Sequence, residues 1–361
     1  MQKSSVEKEI CIMEISKKLF GKTQAGDDVM EYTLTNETGA SVSILNLGGI
    51  IRSINVPDQD GVFKNVAISY DDVQKYETYD GYIGAMIGRV GGRISGASFD
   101  IDDTTYTLAK NDGNNNLHGG LNAFDKQIWE VSEYCSQEKA SITLHHMSPD
   151  MTEGFPGNLD CTVSYSFDNT NALTLQYTCT TDKKTFVNMT NHCYFNLSGD
   201  YSTTIHDHEL EIQATRYTPV NEETIATCLS PVEGTVFDFR VAKPIGKNIN
   251  DDVEQIRIAG GYDHAFELNQ PSSAPLIVAK DPKTGRIMEV TTDAACVVFY
   301  SGNYIDNTFI ASDNIPLQKQ AAFCLETQYY PDALNAPFVE SRFLEPGQIY
   351  RTKTTYRFKN N

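Results

Sequence analysis

The chain lacks most of what would carry it to a membrane, a nucleic acid or a nucleotide. Nowhere in its 361 residues is there an apolar run of the roughly 18 residues that a transmembrane helix needs. Basic residues are scarce, 29 Lys and Arg against 48 Asp and Glu, for a formal net charge of -19. Nucleic acids and anionic membrane surfaces both require basic patches, so neither is expected as a partner. No Cys-x-x-Cys occurs, which disfavours a zinc ribbon. No Walker loop occurs either, and the glycines of Gly88 to Gly92 have neither the spacing nor the following helix of a dinucleotide fingerprint. The stretch Met1 to Lys17 mixes charges with short apolar pieces and has no signal-peptide core, so a cytoplasmic location is expected. The eight cysteines are then expected as thiols, most of them acting as small hydrophobes in strands. There is no repeat, low-complexity tract or Pro/Ser linker, and the chain reads as one domain over residues 1–361.

Helical periodicity is also rare. Asp71 to Tyr79 and Asp251 to Ile258 could each make two turns, too short for the crossover helices of a parallel sheet. Strand patterns dominate instead. Cys161, Val163, Tyr165 and Phe167 alternate with Thr and Ser. After Asp168-Asn169-Thr170-Asn171 the alternation resumes with Leu173, Leu175, Tyr177 and Cys179. Period-two runs flanking an Asn/Asp turn predict an antiparallel hairpin. Similar runs cover Tyr32 to Leu45, Phe99 to Leu108, Ile142 to Leu144, Met288 to Tyr300 and Ile349 to Phe358. Turn signals about every ten residues predict an all-β sandwich or barrel.

Three blocks carry candidate chemistry. In the first, Arg93 and His118 are set among glycines, on either side of a hairpin expected to turn near Asp102-Asp103-Thr104. Folding that hairpin brings its flanks, and both side chains, to one mouth of the sheet. The second is Asn191 to Leu197. As a strand it would place His192, Tyr194 and Asn196 on one face and Cys193, Phe195 and Leu197 on the other. A polar face open to water is the plain alternative. The third is Phe323 to Asp332, where Glu326 ends an apolar run. Burial there would raise its pKa toward the range of a general base. Asp263 is a loop carboxylate with a turn-forming role as its alternative. His206 and His208 would share a strand face, and zinc would need a third ligand that the sequence does not fix. Trp129 could stack on a sugar ring or fill the core.

Taken in order, these blocks resemble the aldose 1-epimerase (galactose mutarotase) family. The matching pieces are Gly88-Arg89-Val90 through Arg93-Ile94, Leu117-His118-Gly119-Gly120 with Phe124-Asp125 and Trp129, and Thr190-Asn191-His192 through Leu197. Tyr262-Asp263-His264, Phe299 to Asn303, Leu325-Glu326-Thr327-Gln328, Pro331-Asp332-Ala333 and Pro346-Gly347 complete a series running from about residue 15 to residue 358. The resemblance implies a large antiparallel β-sandwich that interconverts the α and β anomers of free aldohexoses, without metal or coenzyme, as a monomer or homodimer. It implies Glu326 as the base at the C1 hydroxyl and His192 as the acid at the ring oxygen. Arg93, His118, Asp263 and Tyr194 are implied as sugar ligands. Reference pKa values, about 4.3 and 6.5, would leave the glutamate ionised and the histidine partly protonated near neutrality. Two positions depart from the family pattern: Gly92 where Asn is frequent, and Val298 where Gln is frequent. Three other readings fit parts of the pattern. An epimerase of phosphorylated sugars would want a basic rim. A sugar-binding sandwich would not need both Glu326 and His192. A glycosidase would pair Glu326 with Asp263.

Overall fold

A computed structural model describes residues 13–79, 81–270 and 274–361. Cys11 and most of the Met1 to Lys17 stretch lie outside the described residues. Among those described, three larger antiparallel sheets form the scaffold. One has nine strands. The others have five each, one of them built from consecutive strands between Glu14 and Asn65. A large hydrophobic core draws side chains from all three: Leu34 and Val42 from the N-terminal sheet, Val163 and Leu175 from the nine-stranded sheet, Phe266 and Phe299 from the third. This is an all-β sandwich.

The predicted hairpin lies in the nine-stranded sheet. Strands Leu159–Asp168 and Ala172–Thr181 pair with Cys161 opposite Cys179 and Phe167 opposite Leu173. Their buried and half-buried residues alternate as the sequence does. The turn closes because the Asp168 carboxylate accepts from the backbone of Thr170 and Ala172. Tyrosines then tie the layers together. The Tyr165 hydroxyl donates to the Gly49 carbonyl at 2.7 Å, and that of Tyr356 to the Leu325 carbonyl at 3.1 Å.

Both short helices form. Helix α1 (Val73–Thr78) is capped by the Asp72 carboxylate, and α2 (Glu254–Ala259) ends at Gly260 with φ of 68°. The run Met288 to Tyr300 is not one strand but two. Arg286–Thr292 belongs to the nine-stranded sheet, and Cys296–Tyr300 to the third sheet. Asp293 and its neighbours turn the chain between layers, from an alternating strand to a wholly buried one.

The Asn191 to Leu197 stretch differs from its reading as a strand. Only Thr190–Asn191 pairs regularly, with Met86–Ile87. Beyond it the chain stays extended and wholly buried. Its polar side chains are therefore not an outer surface of the protein. Asn196 serves the fold, since its amide donates to the carbonyls of Asp200 and Ala321. Trp129 belongs to the core, buried against Phe124 with its indole N–H on the Phe124 carbonyl. The thiols of Cys135, Cys161, Cys179, Cys193, Cys228, Cys296 and Cys324 are free.

Candidate active site

The floor of a deep pocket is one face of the third sheet. Strands Asp263–Leu268, Cys296–Tyr300 and Cys324–Gln328 lie side by side, with Ala265, Val298 and Glu326 in one row. Side chains alternate across a strand. Asp263, Val298, Tyr300, Glu326 and Gln328 therefore face the pocket, while Phe266, Val297, Phe299 and Leu325 enter the core.

A second wall comes from the hairpin flanks. Arg93–Ile94 pairs antiparallel with Asn116–Leu117, setting Arg93 opposite Leu117 and next to His118. The extended segment after Asn191 supplies His192 and Tyr194. His192 is pinned by its own backbone: its N–H donates to Ala85 and its carbonyl accepts from Gly84. The cavity measures about 710 Å³, within the usual span of small-molecule sites.

All six predicted site residues line this one cavity. The His192 Nε2 lies 3.5 Å from the Glu326 Oε1. The His118 ring stands edge-on to His192 at 5.3 Å between centroids. Tyr194 lies against His192 at 4.9 Å, but its hydroxyl donates to the Gly81 carbonyl at 2.8 Å. Tyr194 thus packs against the imidazole while its hydroxyl hydrogen is taken up by the backbone.

Burial changes the expected protonation states. Desolvation pushes the Glu326 carboxyl well above its ordinary value; Asp263 nearby adds to the rise and Arg93 opposes it. Desolvation lowers His192 to about 4. Neither the glutamate nor the imidazole keeps its reference value in this buried site. Burial works against charge on both groups, favouring the protonated carboxyl and the neutral ring. Asp263 is also raised, by desolvation first, with Arg93 acting against the shift.

The tautomer of His118 is fixed. The Gly92 N–H donates to its Nδ1 at 3.2 Å, and burial holds the ring well below its ordinary pKa. The neutral ring therefore carries its hydrogen on Nε2 and acts as a donor. This gives Gly92 a use: its amide orients a pocket histidine. With φ of 76° and Pro331 only 3.1 Å from a would-be Cβ, a side chain there would meet resistance. Val298 leaves the floor beside Glu326 apolar.

Donor atoms of His118, His192 and Glu326 lie within 4.8 Å of one another, near enough on distance alone for a metal ion. The His118 tautomer opposes it, since Nδ1 accepts from Gly92 and Nε2 holds the hydrogen. His206 and His208 do not form a second centre. His206 pairs with Gln320, and His208 accepts the Leu197 N–H.

Sequence reasoning missed several lining residues. Tyr82 stands edge-on to His118 at 4.6 Å. Asp112 binds Arg93. Gln328 is buried two residues past Glu326, and its amide nitrogen meets no partner among the described residues. Period two from Glu326 would have found Gln328. Asp112 and Tyr82 lie in loops, where no periodicity points.

Comparison with known proteins fits this geometry. A sequence profile of the aldose 1-epimerase family matches residues 30–357. Galactose mutarotase of Sus scrofa is 34% identical over 349 residues, 96% of this chain and 99% of its own length. Aldose 1-epimerase of Escherichia coli K12 is 35% identical over 333 residues, 90% and 94% of the two chains. The crystal structure of galactose 1-epimerase from Lactobacillus acidophilus superposes with a TM-score of 0.86 at 28% identity, covering 97% of this chain and 99% of that one.

Fold, pocket and relatives together define the class, an isomerase of carbohydrates built on a β-sandwich. Within it, the chain belongs to the aldose 1-epimerase family.

Proposed function

We propose that the enzyme interconverts the α and β anomers of free aldohexoses such as galactose and glucose, by proton transfer between the sugar and the Glu326–His192 pair. The observation that carries this reading is the 3.5 Å approach of these two side chains at the floor of a pocket of small-molecule size. In the productive state the carboxylate of Glu326 takes the proton of the C1 hydroxyl. The imidazolium of His192 gives its proton to the ring oxygen as the C1–O5 bond breaks. The open aldehyde turns about C1–C2, the ring closes on the other face, and both protons return. Acid–base help of this kind contributes about 10² to 10⁴ in rate.

The relay needs one proton shared by the pair, and burial, which disfavours charge on both groups, acts in that direction. Arg93, the cation that opposes the rise at Glu326, also favours the ionised carboxylate. In this reading Arg93, Asp263 and the His118 Nε2–H, which line the same cavity, hold sugar hydroxyls while C1 rotates. Tyr194 keeps the His192 ring in place. One domain is part of this reading, supported by a core shared among all three sheets. So is a cytoplasmic location, in keeping with the free thiols. No helix among the described residues is long and apolar enough to cross a membrane.

A purified sample should speed the optical rotation change of freshly dissolved α-D-galactose or α-D-glucose in a polarimeter. A rate equal to buffer alone for both sugars would refute the proposal. A glycosidase using Glu326 and Asp263 would instead release sugar from a nitrophenyl galactoside, and it would leave His192 without a function.

A further inference from the structure

We propose that Asp112 is a positioning residue that holds Arg93 for the sugar, an inference resting on the reading of Arg93 as a sugar ligand. The Arg93 Nε donates to the Asp112 Oδ2 at 2.7 Å, the one ion pair of this arginine among the described residues. A guanidinium is a rigid planar fork. Fixing Nε sets the plane and leaves the opposite edge, with both terminal nitrogens, free to grip two oxygens at once. No protein acceptor meets those terminal nitrogens among the described residues. Both residues line the cavity.

Asp112 can act as a strut because its own turn is braced. Its backbone and that of Asn115 exchange hydrogen bonds at 3.2 and 2.9 Å across Gly113, which has φ of 60°. The Asn111 side chain accepts from Leu117 N–H and donates to the Leu117 carbonyl. The Asn115 side chain accepts from Gly96 N–H. The turn is therefore clamped to the very strand pair that carries Arg93. A flexible surface carboxylate would add little to an exposed arginine. This one stands on a rigid turn beside a half-buried guanidinium.

The test is steady-state anomerisation of α-D-galactose by Asp112→Asn, Arg93→Ala and the double variant. Asp112→Asn should raise KM about tenfold while kcat stays within about threefold, the pattern of lost ground-state binding. Asp112→Glu, which keeps the charge, should fall closer to wild type. In the Arg93→Ala background, Asp112→Asn should add nothing, because both substitutions remove one interaction. A wild-type KM for Asp112→Asn, alongside a raised KM for Arg93→Ala, overturns the role of Asp112 and leaves Arg93 a ligand. Penalties that simply add also overturn it. A wild-type KM for Arg93→Ala removes Arg93 from sugar binding, and the role of Asp112 with it.

Discussion

At the residue scale, burial moves the two central side chains in opposite directions. The carboxyl of Glu326 is raised well above its ordinary value and the imidazole of His192 lowered to about 4. The sign of the pH response follows. Below about pH 4 the ring gains a second proton for the pair, and no base remains. Above the raised value of the carboxyl the pair loses its one proton, and no acid remains. Between these limits the pair is competent. We predict a kcat/KM profile whose acid limb lies well below 6.5, where a free histidine titrates. An acid limb centred there would show that His192 is not desolvated in solution. The residue types at 326 and 192 were legible because their chemistry is distinctive. Their pKa values were not, because burial depends on neighbours distant in sequence. The Cys324 thiol is an example, 3.4 Å from the His192 Nδ1 and brought there only by the fold.

At the scale of elements, the site rests on turns as much as on strands. The hairpin Ser98–Ile101 and Thr104–Thr107 brings Arg93 and His118 together, as the sequence suggests. The Gly119 turn permits the close approach: its φ is 91° and a Cβ there would lie 2.2 Å from the Gly88 carbonyl oxygen. Gly113 also has positive φ, 60°, but faces open space. Gly119→Ala should therefore cost about 3 kcal/mol or more in urea unfolding, through clash plus strain. Gly113→Ala should cost only about 1 kcal/mol, from strain alone. Equal costs would show that the Gly119 backbone has room to shift. Alternating strands such as Leu159–Asp168 could be read directly, because one face is core and the other is not. The crossover within Met288 to Tyr300 could not, because the second strand, Cys296–Tyr300, is buried along its whole length and carries no alternation to set its register apart. The path after Asn191 was hidden by a similar cause: every residue from Asn191 to Leu197 is buried, and period two no longer marks an outer surface.

At the scale of the whole molecule, charge bears on which sugars enter. The net charge is -19, and Asp112, Glu222 and Glu223 line the cavity beside a single arginine. An anionic sugar meets repulsion there. We predict that kcat/KM for glucose 6-phosphate falls at least about tenfold below that for glucose, with the gap narrowing as salt rises. Equal rates would point to a cation that the pocket does not display. The sandwich itself was legible from strand density and scarce helices. The division into one nine-stranded and two five-stranded sheets was not, since it depends on pairings between strands far apart, such as Ala172–Thr181 with Tyr350–Asn360.

The proton relay at the pocket floor is most directly tested by Glu326→Gln, which keeps the shape of the side chain and removes its basicity. Polarimetry of α-D-galactose should show turnover reduced by at least about 10²-fold, while sugar still binds in equilibrium dialysis. A Glu326→Gln enzyme that turns over at the wild-type rate would contradict the account.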